Sequence, residues 1–338
     1  MRPYLFSAFV FLMMAAKASA QDVTLRVHHF MGERAVLHSQ LLVNWASELQ
    51  EKSDGRIAVE LFAAMSLGGA PGDLYDQASD GAADIILTLP GYTPGRFEQV
   101  EVFELPFMMK DPVATSKALW DMIDTQLQDS EFSETQILSA WTHGPGVIHS
   151  KTPLRSLEDL AGVELRGPTR LATDLIGELG ATPVGMPLPA IPENLSKGVI
   201  SATFLPWEIT PAIRLSELVP YHTELAGERA LYTATFVLAM NIDAYEALPD
   251  DLRAIIDKTT GKIMAERAAQ IEIEADRVGR AVAQENGNTI FVLDQGEVAR
   301  WVQAAQPVYD RFIERAHQNG IDGQALINQA RALIAANE

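Results

Sequence analysis

The sequence predicts an α/β protein of two interwoven lobes, each a largely parallel sheet flanked by helices. Three observations carry this. Strand-like and helix-like patterns alternate from residue 23 onward, as parallel layers require. Two long strand-like runs, 138–150 and 229–241, stand where the pattern changes lobe. No low-complexity linker divides the chain, so the lobes share it by crossing over rather than following one another.

Residues 1–20 read as a cleaved secretory leader. Arg2 supplies the positive end, an apolar run covers 5–16, and Ala18-Ser19-Ala20 is a small-residue cleavage site. The run is shorter than the roughly 20 apolar residues that span a bilayer. Residues 23–28 then alternate as a strand, and 37–52 have helical spacing that ends at Ser53-Asp54-Gly55. A second strand covers 56–62. Leu67-Gly68-Gly69 forms a turn, a short helix covers 73–79, and a third strand covers 84–89. The runs 138–150 and 229–241 are expected as crossover strands, and hence as hinges.

From 249 to 285, Leu252, Ile255, Ile256, Ile263, Met264 and Ala268 recur at helical spacing. One helix of this length would reach roughly 50 Å and brace both lobes, with Gly261 tolerated at a cost of about 1 kcal/mol. Gly287 is placed to cap it in the left-handed conformation. A strand at 289–293 and further helices finish the chain. The expected division is 21–142 with about 229–270 as the first lobe, and 143–228 with about 271–338, including the C-terminal helices, as the second.

Composition narrows the function. The 338 residues are 47% hydrophobic, enough for about two cored domains. A formal net charge of -19 argues against nucleic acid and anionic membranes as partners. There are no cysteines, which excludes disulfide scaffolds and Cys-based zinc sites. No G-x-S-x-G, G-x-G-x-x-G or G-x-x-x-x-G-K occurs, and no paired carboxylates suggest acid/base work, so no catalytic residue is assigned.

Arg166 ends an apolar strand-like run just before Gly167-Pro168. A guanidinium fixed at a strand end is a carboxylate clamp, because its planar fork matches two oxygens. An internal echo supports a cleft there. The segment from Asp80 through Leu89-Pro90 to Tyr92 resembles that from Lys197 through Leu205-Pro206 to Trp207. Each runs through Gly into an apolar strand and out at Leu-Pro and an aromatic. Equivalent strand ends would then face each other, where open α/β sheets bind ligands.

Several short segments, in this order and spacing, resemble one family. They include Leu67-Gly68-Gly69, Glu104-Leu105-Pro106-Phe107, the run from Leu157-Glu158-Asp159-Leu160 to Arg166, and Leu195-Ser196-Lys197-Gly198-Val199-Ile200. Met240-Asn241 and Leu248-Pro249-Asp250-Asp251-Leu252 continue the series. The chain resembles the solute-binding proteins of tripartite ATP-independent periplasmic (TRAP) transporters, of the dicarboxylate-binding (DctP) type. The resemblance implies a two-lobe periplasmic solute-binding fold with crossover hinge strands and a long bracing helix. It implies a periplasmic receptor that delivers an organic acid to membrane permease subunits, without enzymatic activity or cofactor. It assigns the substrate carboxylate to Arg166.

Departures from the family pattern shape the ligand expected. The family's frequent Asp-Gly is here Ser201-Ala202, and the second arginine common in the segment 141–150 is missing. An aromatic or hydrophobic monocarboxylate is therefore expected, with C4-dicarboxylates or small 2-oxo acids as the alternative. An exported enzyme or a sensor subunit on the same fold are rival roles. Trp207 and Phe204 are candidate stacking walls, and strand alternation puts them on opposite faces, with Trp207 preferred. Tyr92, Phe107 and Trp141 are further wall candidates. One of His28 and His29, with His29 taken as the candidate, is expected at the cleft mouth with Phe30 in the same loop, and His143 as a second polar contact. Adjacent His28 and His29 point to opposite faces of a strand, which is poor chelation, so no metal site is assigned.

Overall fold

The computed structural model describes residues 21–338. The expected leader at 1–20 lies outside the described residues. Two sheets form the molecule. The first has the order β2-β1-β3-β10-β4, from β1 (Val23–His29), β2 (Ile57–Phe62), β3 (Ile85–Thr88), β4 (Thr135–Thr142) and β10 (Thr235–Asn241). The second has the order β11-β9-β5-β8-β6-β7, from β5 (Val147–Ser150), β6 (Glu164–Gly167), β7 (Thr182–Gly185), β8 (Ala202–Leu205), β9 (Tyr221–Leu225) and β11 (Thr289–Leu293).

Each sheet has one reversed strand. β10 runs antiparallel to both β3 and β4, and β5 runs antiparallel to both β8 and β9. The remaining pairings are parallel. The echoed segments thus occupy matching places: β3 lies between β1 and β10, and β8 lies between β6 and β5. Both are buried along their length, as central strands covered on two faces must be. The chain passes from the first sheet to the second between Thr142 and Val147 and returns between Leu225 and Thr235. These are the two expected crossovers.

Helices α1 (Val43–Lys52), α2 (Leu74–Ser79) and α3 (Pro112–Met122) follow strands of the first sheet or precede β4. α3 starts at Asp111, whose carboxylate accepts from the Ala114 amide at 2.7 Å, with Pro112 in the first turn. α4 (Arg170–Glu178) and α5 (Ile191–Lys197) serve the second sheet. α4 is capped by Thr169, and α5 ends on Gly198 at φ 74°, a conformation glycine adopts without strain.

The single helix expected over 249–285 is interrupted. After the short α6 (Ile242–Glu246), α7 (Asp250–Thr259) stops, Thr260 is extended, and α8 (Gly261–Glu285) begins anew. Gly261 has φ 64°, sits against the Trp120 ring, and its carbonyl accepts the Ser139 hydroxyl at 2.8 Å. This tertiary anchor defeats helical propensity at that point. The 25 residues of α8 still reach about 37 Å. α8 packs on α3 and β4 at one end and β11 at the other, and so braces both sheets. It passes so near the loop after β8 that a side chain at Gly279 would overlap the Trp207 carbonyl. α9 (Gln295–Ala304), α10 (Gln306–Gln318) and α11 (Gly323–Asn337) complete the chain. α10 packs on α4 and α11 on α3, so the C-terminal helices touch both lobes.

Candidate functional site

The carboxyl ends of the parallel strands of both sheets converge on one cavity of about 380 Å³, its mouth included. Phe30 follows β1, Leu89 and Tyr92 follow β3, and His143 follows β4. Arg166 and Pro168 come from the end of β6, and Leu205, Pro206, Glu208 and Ile209 from the end of β8. Tyr232, Ala234 and Phe236 come from the leading end of the reversed β10, which reaches the same side. Parallel sheets bring their ligands to this edge.

Arg166 is 1% exposed. Its Nε donates to the Met186 carbonyl at 2.8 Å and its Nη1 to the Phe204 carbonyl at 2.9 Å. These bonds hold the guanidinium plane without neutralising it. No carboxylate pairs with it among the described residues; the polar side chains beside it are Tyr92 and Tyr232. Burial pulls its pKa below the ordinary arginine value, and the two tyrosines oppose that shift. A buried cation without a counter-ion is costly unless an anion from outside completes it.

Around Arg166 the walls are aromatic. Tyr92 meets Phe30 edge-on at 5.2 Å. Tyr232 stacks on Phe204 at 4.7 Å, and Phe236 stacks on Trp141 at 5.9 Å. His143 donates from Nδ1 to the Gly144 carbonyl at 2.6 Å, which leaves Nε2 as the free ring nitrogen. Burial pushes its pKa down to about 4, so the ring is neutral at pH 7. Glu208 is 6% exposed and its amide donates to Asp276 Oδ1 at 2.7 Å. Burial, then the Asp276 carboxylate, raise its pKa well above the usual carboxylate range. No Ser, Thr, Cys or Lys is among the cavity's described lining residues.

The lobes are closed over this cavity. The Tyr92 hydroxyl accepts from the Leu188 amide of the opposite lobe at 3.1 Å. Arg170, at the start of α4, donates to Glu101 at 2.8 Å and to Glu98 at 3.3 Å across the gap. It thus bridges the two lobes.

Of the residues expected at the site, Arg166, Tyr92, Phe30 and His143 line the cavity together. The structure places the others elsewhere. Trp207 packs with Val147 and Ala283, meets His149 edge-on at 4.9 Å, and donates from Nε1 to Glu224 at 2.8 Å. The alternation argument for it fails because β8 ends at Leu205, two residues earlier. The Phe204 ring lies behind Tyr232, and its carbonyl rather than its ring serves the site. His29 is fully buried and shares a 2.9 Å hydrogen bond with His38; burial and the nearby His38 push its pKa down to about 3. Phe107 has φ 59° and lines a separate hollow with Pro106 and Tyr309, its carbonyl accepting from Arg229 at 3.1 Å. Trp141 backs Phe236 without reaching the cavity.

Most of the lining residues were not singled out from the sequence, among them three on the second crossover. Tyr232, Ala234 and Phe236 recur with period two, so one face of the crossover carries them all. The strand expected over 229–241 begins only at Thr235, so Tyr232 and Ala234 carry the pattern in the segment that leads into it. Glu208 gave no such signal, because its carboxyl neighbours lie far along the chain on α8.

Comparison with known proteins places the chain. The family model described as bacterial extracellular solute-binding protein, family 7 (DctP), matches residues 27–316. A TRAP solute-binding protein from Rhodoferax ferrireducens, solved with copurified benzoate, is 46% identical, with TM-score 0.91 over 93% of this chain and 98% of that one. A marine metagenome TRAP solute-binding protein specific for aromatic acids, solved with 3-hydroxybenzoate, is 40% identical, with TM-score 0.92 over 94% and 100% of the two chains. The C4-dicarboxylate-binding periplasmic protein of Rhodobacter capsulatus is 26% identical over 272 residues, 79% of this chain and 80% of that protein. The chain belongs to family 7 of the bacterial extracellular solute-binding proteins, the receptors of TRAP transporters.

Proposed function

We propose that this receptor binds an aromatic monocarboxylate in the periplasm and hands it to TRAP membrane permease subunits. The observation that carries the reading is the buried, unpaired guanidinium of Arg166 in an aromatic-walled cavity. Arg166 is the one cation among the described lining residues. A single carboxylate neutralises it; a second carboxylate would meet apolar walls or Glu208. The benzoate and 3-hydroxybenzoate held by the two similar structures support the same choice. The leader expected at 1–20 supports export, and no helix among the described residues is long and apolar enough to cross a membrane.

The segments 143–146 and 226–234, between the sheets, serve as hinges in this reading, and Arg166 with Tyr92 binds the carboxylate as the lobes close. No bond of the ligand is made or broken, and no cofactor takes part. The test is titration of refolded, ligand-free protein with benzoate and with succinate. Benzoate raises the melting temperature with the logarithm of its concentration above Kd, as binding to the native state requires, and is recovered unaltered. Stronger stabilisation by succinate, or conversion of benzoate, would overturn the reading.

A further inference from the structure

The cavity carries polar groups besides its cation. Glu208 lines the same cavity as Arg166, and its Oε2 is buried with no hydrogen-bond partner among the described residues. The Tyr232 hydroxyl, on the same lining, is likewise buried and unpartnered. Buried polar atoms in folded proteins are nearly always paired, so two unpaired ones on residues that line one cavity point to a partner supplied by the ligand.

The surroundings of Glu208 decide what that partner is. Glu272 and Asp276 stand four residues apart on α8, hence on one face, and both act on Glu208 from behind. Glu272 is fully buried and neither of its oxygens has a partner; the Trp141 indole faces it. Among the described residues no group is arranged to hold a metal ion in this cluster. On the cavity side the other charged and titratable lining residues are Tyr92, His143, Arg166 and Tyr232. Crowded carboxyls without a cation hold their protons. A neutral carboxyl both donates and accepts, and matches a neutral hydroxyl, which does the same.

We propose that Glu208, with the Tyr232 hydroxyl, recognises a hydroxyl on the ring of the bound acid, so that the receptor selects hydroxyaryl carboxylates over unsubstituted ones. The proposal rests on the aromatic-acid reading above and adds the group that grades the acids. Arg166 holds the carboxylate; Tyr232, within electrostatic reach of both Arg166 and Glu208, stands between them, and Glu208 meets the ring hydroxyl. A site built to bond a hydroxyl discriminates against the analogue that lacks it, because its own polar atoms are then left unpaired.

Calorimetric titration of ligand-free protein with benzoate, 3-hydroxybenzoate, 4-hydroxybenzoate and the matching methylbenzoates tests it. At least one hydroxybenzoate binds about tenfold or more tightly than both benzoate and its methyl counterpart. The preference collapses to about one in Glu208→Leu, is largely retained in Glu208→Gln, and falls severalfold in Tyr232→Phe. The methyl series needs no variant, so the test survives a substitution that fails to fold. Methyl and hydroxyl analogues binding alike, or a hydroxyl preference intact in Glu208→Leu, would overturn the proposal. So would tighter binding of 3-(aminomethyl)benzoate, which would make Glu208 a carboxylate for an ammonium group. Failure of all the benzoates to bind wild type sinks the aromatic-acid reading instead, and the two failures are thereby distinct.

Discussion

Gly91 and Thr169 meet across the closed lobes, so closely that a side-chain carbon on Gly91 would overlap the Thr169 methyl. Gly91 is not in the left-handed region, so its backbone accepts alanine and only the opposite lobe objects. Gly91→Ala is therefore expected to leave the fold intact while opposing closure. Overpacking of this kind costs about 1–3 kcal/mol, or roughly tenfold or more in affinity. Thr169→Ser removes the methyl but keeps the hydroxyl that caps α4, and should restore part of the loss. Equal affinity of Gly91→Ala and wild type would mean that ligand binds without this contact.

The Arg170 bridge makes a related prediction. Glu101 is 4% exposed, and with Arg170 absent its carboxylate would be left buried whenever the lobes close. In an open form it would be hydrated at little cost. Arg170→Ala should thus weaken ligand binding by about 1–2 kcal/mol through a shifted closing equilibrium. Small-angle scattering would show the ligand-free variant more expanded than wild type at the same salt. An unchanged scattering profile and affinity would reduce the bridge to a bystander.

Arg166 itself gives the largest expected effect. Removing one partner of a buried charge pair costs about 2–5 kcal/mol of binding. Arg166→Ala should lose benzoate affinity by that amount while its unliganded stability holds or rises, because an uncompensated buried charge has gone. Arg166→Lys keeps the charge but cannot donate to Met186, Phe204 and a carboxylate in one plane, so it should recover little. Calorimetry of the three proteins side by side checks this, and full affinity in Arg166→Ala would remove the clamp.

The elements near the site were legible where local pattern and tertiary role agree. The Leu165-Arg166-Gly167-Pro168 run announces a strand end, and the buried β3 and β8 echo each other because they occupy matching places in two similar sheets. Trp207 was misplaced because alternation was carried two residues past the end of β8, where the chain has already turned. Glu208 looked isolated because Glu272 and Asp276 reach it from more than sixty residues away. Gly261 was visible but read as tolerated within one helix, because the Ser139 hydroxyl that anchors its carbonyl comes from β4. Local sequence thus located the strand ends, whereas contacts made through α8 had no local signature.

Glu104 offers a test of the site's scaffold by pH. It belongs to the Glu104-Leu105-Pro106-Phe107 segment, is fully buried, and accepts from the Thr235 amide at 2.9 Å and hydroxyl at 2.7 Å. These bonds tie the segment to the start of β10, where Tyr232 and Phe236 enter the cavity. Burial pushes its pKa up to about 7 from an ordinary 4.5, although the Thr235 bonds oppose the shift. Below about pH 4.5 the group is protonated in both folded and unfolded chains and contributes no pH dependence. Between 4.5 and 7 the unfolded chain releases the proton and the folded one keeps it, so stability falls as pH rises. Above 7 both forms are ionised and the loss is complete, at most about 3 kcal/mol at about 1.4 kcal/mol per pKa unit. Glu104→Gln retains an oxygen for Thr235 and cannot ionise. Its stability relative to wild type should therefore climb by about 2–3 kcal/mol from pH 4.5 to pH 7.5 in urea titrations. His29 and His143, whose depressed pKa values remove stability as pH falls below 6.5, are common to both proteins and cancel in the difference. A difference that stays flat across this window would mean that Glu104 ionises in the folded protein at its ordinary pH, and that the cavity's edge is wetter than its burial implies.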